Sequence, residues 1–391
     1  MPQDSFDFAV EDFGSFIDRW SAFKLQPGQT PSCQNVVIEP KRIYKRNGSA
    51  KLNSTVIDTN PITGVGTYYN KAGTVKKLVA GSGTSVYEWD GATFNAIKTA
   101  LTAGGLPRFA TLADLLIYVN GKDAPRKWDG TTEALLAGSP PTASMLCVHY
   151  GRLFLNSTTN PSRVHWSGAG NPQTWGANDY DDFNPDDNDS VTYIDSHHGQ
   201  LLVGKGRSLH ALQGTDPNDF IPLETYDPVH GIVGPLAVAE IEGIVYFWSN
   251  DGLYRFNGIS TREVTGAPEG QESVISNFIS NINQVYRSGI ALTAWKNKLW
   301  CAVPYSTSTT NNRILVYDPQ HDLFYPFVGL NASCFVRHAP TAAFNLYFGD
   351  ATTGTIWQAD TSTNDGSTAI DAWWQSADID LEQAESLKAW R

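Results

Sequence analysis

A short two-strand pattern recurs along the chain and limits its fold more than any other feature. In the first copy, Leu78–Gly91, an apolar strand, a Gly/Ser/Thr turn and an alternating strand end in Asp-Gly, which predicts a β-hairpin. Further copies are found at Leu115–Gly130, Leu153–Gly168, Leu201–Gly214, Ile244–Gly258, Arg313–Phe327 and Leu346–Asp360. Repetition every roughly 35–55 residues predicts an all-β fold, a β-propeller. Seven copies are present, the last one or two of them degenerate, so we expect seven blades, or six if one copy belongs to a flanking element.

The repeats divide the chain into three parts. Residues 1–60 do not repeat and are interpreted as an N-terminal arm, residues 61–360 as the propeller, and residues 361–391 as a C-terminal strand followed by a short helix at Leu381–Arg391. The arm and the C-terminal part are expected to form a small platform outside the propeller. The best helical candidate lies within the repeats, at Gly266–Asn283, where apolar residues recur at helical spacing.

Composition excludes several classes of protein. A hydrophobic content of 41% with 17% charged residues indicates a packed globular chain. The net charge of −12 disfavours a protein that coats nucleic acid by neutralising phosphates. The four cysteines are isolated in sequence, which predicts free, mostly buried thiols made in a reducing cytoplasm. The acidic N-terminus lacks the apolar segment of a signal peptide, and no apolar run is long enough to span a membrane.

Two charged stretches stand outside the repeat pattern. The first, in the arm, carries Lys41, Arg42, Lys45 and Arg46 without an acid. It is either a solvated sheet edge, since lysines protect edges from pairing, or a contact surface for an acidic neighbour or DNA. The second, between the third and fourth hairpins, carries six aspartates and no base: Asp179, Asp181, Asp182, Asp186, Asp187 and Asp189. It is interpreted as a solvated loop, or as one that faces a channel or a partner.

Neither stretch has the spacing of a known catalytic or metal site. Alternate oxygen-bearing residues from Asp182 to Asn188 imitate the start of an EF-hand loop, but Asp187 replaces its glycine and Tyr193 its final glutamate. The adjacent His197 and His198 point to opposite faces of a strand and cannot share a metal. Nucleophile elbows, Walker loops and zinc-protease motifs are absent from the sequence. We therefore predict no catalytic, cofactor-binding or metal-binding residues.

The order of several motifs resembles one family. A Gly-Arg-Leu-Phe strand, an Asn-Pro-x-Arg-Val-x-Trp-Ser segment, a Gly-x-Pro-x-x-Trp segment, the acidic loop, and two apolar strands follow one another. This order is similar to that in the propeller proteins of bacteriophage tails, of the nozzle, hub or packaged-DNA stabilisation type. The matching stretches are Gly151–Phe154, Asn160–Ser167, Gly170–Trp175, Gly199–Val203 and Arg207–Leu212, with Cys33–Val37 and Tyr44–Gly48 in the arm.

The resemblance implies a non-enzymatic virion protein. Members of that family form rings, usually of six subunits, below the head-to-tail connector, where they retain packaged DNA and dock fibres or a plug. DNA would pass through such a ring without specific binding. Under this hypothesis the basic residues of the arm would dock against an acidic neighbour, and the acidic loop would face the channel or a partner. The alternatives are a propeller that binds a carbohydrate or protein ligand and, less favoured, a propeller glycosidase, whose chemistry needs two carboxylates across the scissile bond.

Overall fold

The computed structural model describes residues 10, 12–265 and 274–378, and these form a seven-bladed β-propeller. Each blade is a four-stranded antiparallel sheet. In the described part of the arm the strands are β1 (Cys33–Gln34), β2 (Val36–Glu39), β3 (Arg42–Lys45) and β4 (Gly48–Lys51). Among the described residues, no helix has the length and apolar character needed to span a membrane.

Blades 1 to 5 follow the chain without interruption. Blades 1 to 3 contain β5 (Ile62–Tyr69), β6 (Lys76–Ser82), β7 (Ser85–Trp89), β8 (Phe94–Lys98), β9 (Arg108–Leu112), β10 (Leu115–Val119), β11 (Arg126–Trp128), β12 (Glu133–Leu135), β13 (Leu146–His149), β14 (Arg152–Asn156), β15 (Arg163–Trp166) and β16 (Tyr180–Asp182). Blades 4 and 5 contain β17 (Val191–His197), β18 (Gln200–Lys205), β19 (Leu209–Gln213), β20 (Ile221–Asp227), β21 (Val238–Ile241), β22 (Ile244–Trp248), β23 (Leu253–Phe256) and β24 (Thr261–Glu263).

Blades 6 and 7 follow the short helix α1 (Ser276–Ser280), and the last blade is completed by the arm. Their strands are β25 (Ala291–Trp295), β26 (Lys298–Val303), β27 (Arg313–Asp318), β28 (Leu323–Val328), β29 (Ala332–His338), β30 (Asn345–Asp350) and β31 (Ile356–Ser362). The fourth strand of blade 7 is β4, which pairs antiparallel with β31 and closes the ring. The stretch before residue 60 therefore contributes a strand to the propeller. A final short strand, β32 (Trp373–Trp374), pairs with β1.

Local turn chemistry explains why the repeated pattern ends in Asp-Gly. The side chains of Asp90 and Asp129 each accept hydrogen bonds from the backbone N–H groups two and three residues later, and Asn257 does the same. These Asx turns join the third and fourth strands of their blades. Gly91 and Gly130 follow with φ of 109° and 99°, a region that glycine enters without steric cost.

The second strand of each blade lies in the core because neighbouring blades cover both of its faces. In blade 4, every residue of β18 is buried, and Leu116–Val119 in blade 2 and Val245–Trp248 in blade 5 are buried throughout. A fully buried aliphatic side chain contributes about 1.5–3 kcal/mol, so stacking of the blades is the main stabilising term. First strands contact one another between blades 1 and 2, 2 and 3, 3 and 4, 5 and 6, 6 and 7, and 7 and 1. Blades 4 and 5 are also linked by the Thr192 hydroxyl, which donates to the Ile232 carbonyl at 2.6 Å.

The arm packs against the outer edge of blade 6. The backbone N–H of Asn35 donates to the carbonyl of Pro326 at 3.1 Å, and the N–H of Val328 donates to the Asn35 side chain at 2.8 Å. Pro326 has no N–H group, which suits an outer strand. Ile38 of β2 is completely buried in the cluster that includes the aromatic residues of β28. The arm thus protects an edge that would otherwise be open to pairing.

The prediction of an all-β propeller is confirmed, with seven blades rather than six. Six of the seven predicted hairpins are the second and third strands of a blade, but Arg313–Phe327 is the third and fourth, because a long loop separates β26 from β27 and a short turn joins β27 to β28. The predicted helix at Gly266–Asn283 is described only from residue 274, where α1 buries Phe278. The helix predicted at Leu381–Arg391 lies outside the described residues. All four cysteines are free and buried, as predicted.

Candidate functional site

The four basic residues of the arm divide into an exposed group and a buried one. Lys41, in the turn between β2 and β3, and Lys45 are exposed, and the Lys45 ammonium donates to the Thr363 carbonyl at 3.1 Å. Arg42 has a side chain that is 68% exposed and forms an ion pair with Glu39 at 2.6 Å. Three of the four residues therefore remain available to a neighbour, and their role in docking stays a prediction.

Arg46 is different because its side chain is only 2% exposed. All of its guanidinium N–H groups donate to groups of the same chain. The acceptors are the Asn35 side chain, the carbonyls of Asn47 and Val328, and both carboxylate oxygens of Asp365, the nearer at 2.6 Å. This side chain fastens the arm to blades 6 and 7 and is not presented to a partner.

The acidic loop is built around a buried cation of the same chain. Lys205, at the end of β18, is fully buried, and its ammonium lies 2.5 Å from the Asp187 carboxylate. The same ammonium donates to the carbonyls of Phe183 at 3.0 Å and Asn184 at 2.9 Å, and to the Ser162 hydroxyl at 3.2 Å. The inward-facing oxygens of the loop thus bind an ammonium group.

Most other aspartates of the loop have local structural roles. Asp182 forms a bidentate ion pair with Arg163, with both contacts at 2.8 Å, and Asp189 accepts the backbone N–H of Arg207 at 2.9 Å. Asp179 accepts the N–H of Gly176 at 2.9 Å. Asp186 is exposed, whereas Asp181 is half-buried and burial raises the pKa of its carboxyl. A channel-facing or partner-facing role for the loop stays a prediction, carried mainly by Asp186.

The surroundings of Lys205 shift the pKa of two neighbours. Burial alone would raise the pKa of Asp187, but the hydrogen bond from Lys205 holds it below its usual value. Burial lowers the pKa of His210, and the charge of Lys205 lowers it further. The imidazole of His210 lies 2.8 Å from the Ser208 hydroxyl and is buried. His210 is therefore a neutral side chain held beside a cation.

We expect the stability contribution of His210 to be lost on acidification. Because its folded pKa is lowered, the unfolded chain binds more protons below pH ~6.5, and stability falls as the pH falls. The loss of stability reaches at most about 2 kcal/mol at pH 5. His210→Gln should flatten the dependence of the denaturation midpoint on pH between 7 and 5, whereas exposed His198→Gln should leave it unchanged. An unaltered profile in His210→Gln would contradict this expectation.

A cleft at the propeller mouth brings together residues from four blades. It has a volume of about 490 Å³ and lies at the ends of the first strands of blades 1, 5, 6 and 7. Its wall contains three aromatic residues, Tyr69, Trp295 and Phe344, of which Phe344 is 61% exposed. Four charged residues also line it: Glu240, Glu242, Lys296 and Arg337.

Hydrogen bonds fix part of this cleft. The carboxylate of Glu240 lies 2.7 Å from the buried imidazole of His197, whose other nitrogen lies 2.8 Å from the Tyr193 hydroxyl. Asn297 donates to Glu242 at 3.3 Å. Within residues 12–265 and 274–378, the Arg337 guanidinium has neither an ion pair nor a hydrogen bond. The cleft thus has a positioned carboxylate and a free cation.

A second cavity, of about 100 Å³, lies between the arm and blade 6 and shares Trp295 and Lys296 with the mouth cleft. Tyr44 of the arm and two residues of blade 6, Trp300 and Phe327, line it. The Trp295 indole N–H donates to Asp360 at 2.8 Å, and Lys296 pairs with the same carboxylate at 2.6 Å. These contacts hold the shared wall in place.

Sequence reasoning missed the residues of the mouth cleft and Lys205. Glu240, Trp295 and Arg337 lie in three separate stretches that the fold brings to one mouth. A signal did exist for Lys205, since it is the only charged residue of the otherwise apolar strand β18 and lies close in sequence to the acidic loop. In the described ranges, no group of three or more His, Cys, Asp or Glu side chains is arranged to hold a metal ion.

Comparisons with known proteins show the fold. The structure is similar to that of BamB from Moraxella catarrhalis, with a TM-score of 0.50 and 11% identity over 83% of this chain and 94% of that one. It is also similar to an extracellular domain from B. thetaiotaomicron assigned to a one-component system, with a TM-score of 0.54 and 11% identity over 81% of this chain and 40% of the other. No protein-family model and no curated protein matches the sequence.

Proposed function

We propose that the chain is a structural, non-enzymatic component of a bacteriophage tail. In this proposal it is made in the host cytoplasm and assembles into a ring of six subunits below the head-to-tail connector. The ring retains packaged DNA, forms part of the ejection channel and docks other tail proteins such as fibres or a plug. The order of sequence motifs supports the proposal, as does a platform formed by the two ends of the described chain.

That platform is the observation on which the proposal depends most. Strand β1 pairs with β32, and the Asn35 side chain donates to the Asp371 carbonyl at 2.8 Å. The rings of Phe13 and Trp374 meet edge to face with centroids 5.6 Å apart. The arm up to β3 and the segment around β32 are thus held together beside blade 6, whereas β4 belongs to blade 7. The family resemblance implies a platform of this composition.

Charge supports the same proposal. The net charge of −12 suits a channel wall from which DNA is repelled, because phosphates would not adhere to it. A head-to-tail contact between copies of the chain would give a closed ring if the rotation between neighbouring subunits closes.

Sedimentation of the purified chain, alone and with isolated head-to-tail connectors, tests the proposal. We expect a species of six times the 42.8 kDa of one chain, formed in solution or on the connector. Negative-stain images of that species should show a ring with a central channel. A monomer under both conditions would overturn the proposal.

Charge reversal in the arm gives a sharper test. In Lys41→Glu/Arg42→Glu/Lys45→Glu the exposed cations are reversed, whereas buried Arg46 is left intact so that the arm stays attached. If these cations meet an acidic neighbour, association should weaken at least about tenfold, or by about 1.4 kcal/mol. The matched control, Lys71→Glu/Lys122→Glu/Arg262→Glu, reverses three exposed cations on blades 1, 2 and 5. If the two variants associated equally well, the basic residues of the arm would not lie in the interface.

A further inference from the structure

We propose that the mouth cleft binds a neutral oligosaccharide. The proposal rests on the lining of the cleft and is independent of the tail function proposed above. A volume of about 490 Å³ lies within the range of small-molecule sites, roughly 300–1,000 Å³. Four blades contribute to the wall, and a site assembled from rigid strands keeps its shape when it is empty.

Aromatic faces are the first feature that points to a sugar. Tyr69, Trp295 and Phe344 come from blades 1, 6 and 7 and line the same cleft. The face of an aromatic ring is electron-rich, so it attracts the polarised C–H groups on one face of a sugar ring. Phe344 is 61% exposed in a turn between strands, and burial of such a side chain by a ligand would be favourable.

The polar groups are the second feature, since they can both accept and donate hydrogen bonds. Sugar hydroxyls donate to carboxylates such as those of Glu240 and Glu242, and they accept from guanidinium and amide groups. The guanidinium of Arg337 is free of partners in the described part of the chain, so its N–H groups are available to a ligand. Arg337 would also bridge adjacent hydroxyls because its donors form a planar fork.

The charged residues that line the cleft favour a neutral ligand over an anionic one. Two carboxylates and two cations line the cleft, so their formal charges cancel. Lys296 is already paired with Asp360 at 2.6 Å, and Glu240 is hydrogen-bonded to His197, so Glu242 and Arg337 leave one charge of each sign. An acidic polymer such as DNA or a polyuronate would be repelled by Glu240 and Glu242. A neutral chain of hexoses or N-acetylhexosamines meets no such penalty.

A second cavity adjoins the mouth cleft at Trp295 and Lys296. It adds Tyr44, which is 41% exposed, to the aromatic residues near the cleft. The spread of exposed aromatic side chains, from Phe344 to Tyr44, favours an oligosaccharide over a monosaccharide.

The test measures binding of maltotetraose, cellotetraose and tetra-N-acetylchitotetraose to the full chain by calorimetry. We expect at least one of them to saturate the protein with a Kd of about 1 mM or tighter. Phe344→Ala and Arg337→Gln should each weaken that binding at least fivefold. The control is Tyr150→Ala, which removes an exposed aromatic side chain from the corresponding turn of blade 3, outside the cleft, and should bind as the wild type does.

Thermal denaturation of each variant shows whether a loss of binding comes from the cleft or from unfolding of the protein. Phe344 and Arg337 are exposed, so both substitutions should leave the melting temperature close to that of the wild type. The proposal is overturned if none of the three sugars saturates the protein, or if both cleft variants bind as tightly as Tyr150→Ala. Neither result would bear on ring formation, which sedimentation measures separately.

Discussion

Arg46→Met should lower the free energy of unfolding by about 3–5 kcal/mol, the usual cost of removing one partner from a buried ion pair. The substitution keeps much of the apolar stem but removes the guanidinium donors of the Asp365 carboxylate and of the Val328 carbonyl. Asp365 is mostly buried and also accepts the backbone N–H of Ser49, next to the closing strand pair. The loss should appear as a lower midpoint in denaturant-induced unfolding.

Two further variants make this prediction specific. Arg46→Lys should also be strongly destabilising, because an ammonium group cannot reproduce the planar contacts of the guanidinium. Arg42→Met, four residues earlier in the same basic stretch, removes an exposed side chain and should change stability by less than about 0.5 kcal/mol. If Arg46→Met and Arg42→Met had the same midpoint, Arg46 would not fasten the arm as described.

Lys205→Met should destabilise the protein by a similar amount, about 3–5 kcal/mol. The ammonium is fully buried, and its removal takes one donor from the Asp187 carboxylate and from each of the carbonyls of Phe183 and Asn184. We expect the acidic loop to lose its order, because these contacts hold its inward-facing oxygens. Hydrogen exchange at residues 184–189 should therefore rise together with the loss of stability.

A double variant separates the ion pair from the rest of this contact. In Lys205→Met/Asp187→Asn the unpaired carboxylate is also removed, so the combined cost should be smaller than the sum of the two single costs by roughly 1–3 kcal/mol. Arg207→Met is the control for the loss of a positive charge beside the same loop, since the Arg207 side chain is 64% exposed. Strict additivity of the two substitutions would show that Lys205 and Asp187 do not interact.

The propeller was predictable because its signal is local and repeated. The turns at Asp90 and Asp129 are fixed by side chains within three residues of the turn, and such contacts leave a visible pattern in the sequence. The hairpin at Arg313–Phe327 pairs the third and fourth strands of its blade, whereas the other six hairpins pair the second and third. A hairpin pattern shows that two strands pair but not which two strands of a blade they are.

The sites were less predictable because they depend on contacts that are distant in sequence. Arg42 and Arg46 belong to one basic stretch, yet one is exposed and the other is buried against Asp365, more than 300 residues away. The acidic loop was seen as a run of charge, but its partner Lys205 lies on a strand of the next blade. Arg337 and Glu240 carry no pattern at all, since only the ring brings them to the same mouth.

The strand that closes the ring is synthesised long before the strand with which it pairs. Lys51 of β4 pairs with Trp357 of β31, so one half of the closure leaves the ribosome about 300 residues before the other. At about 5–20 residues per second, β4 waits for about 15–60 seconds while six blades are made. During that interval its N–H and C=O groups have no native partner. Translation of the seventh blade is therefore the step that completes the fold, and a chain released before β31 would expose two unpaired edges.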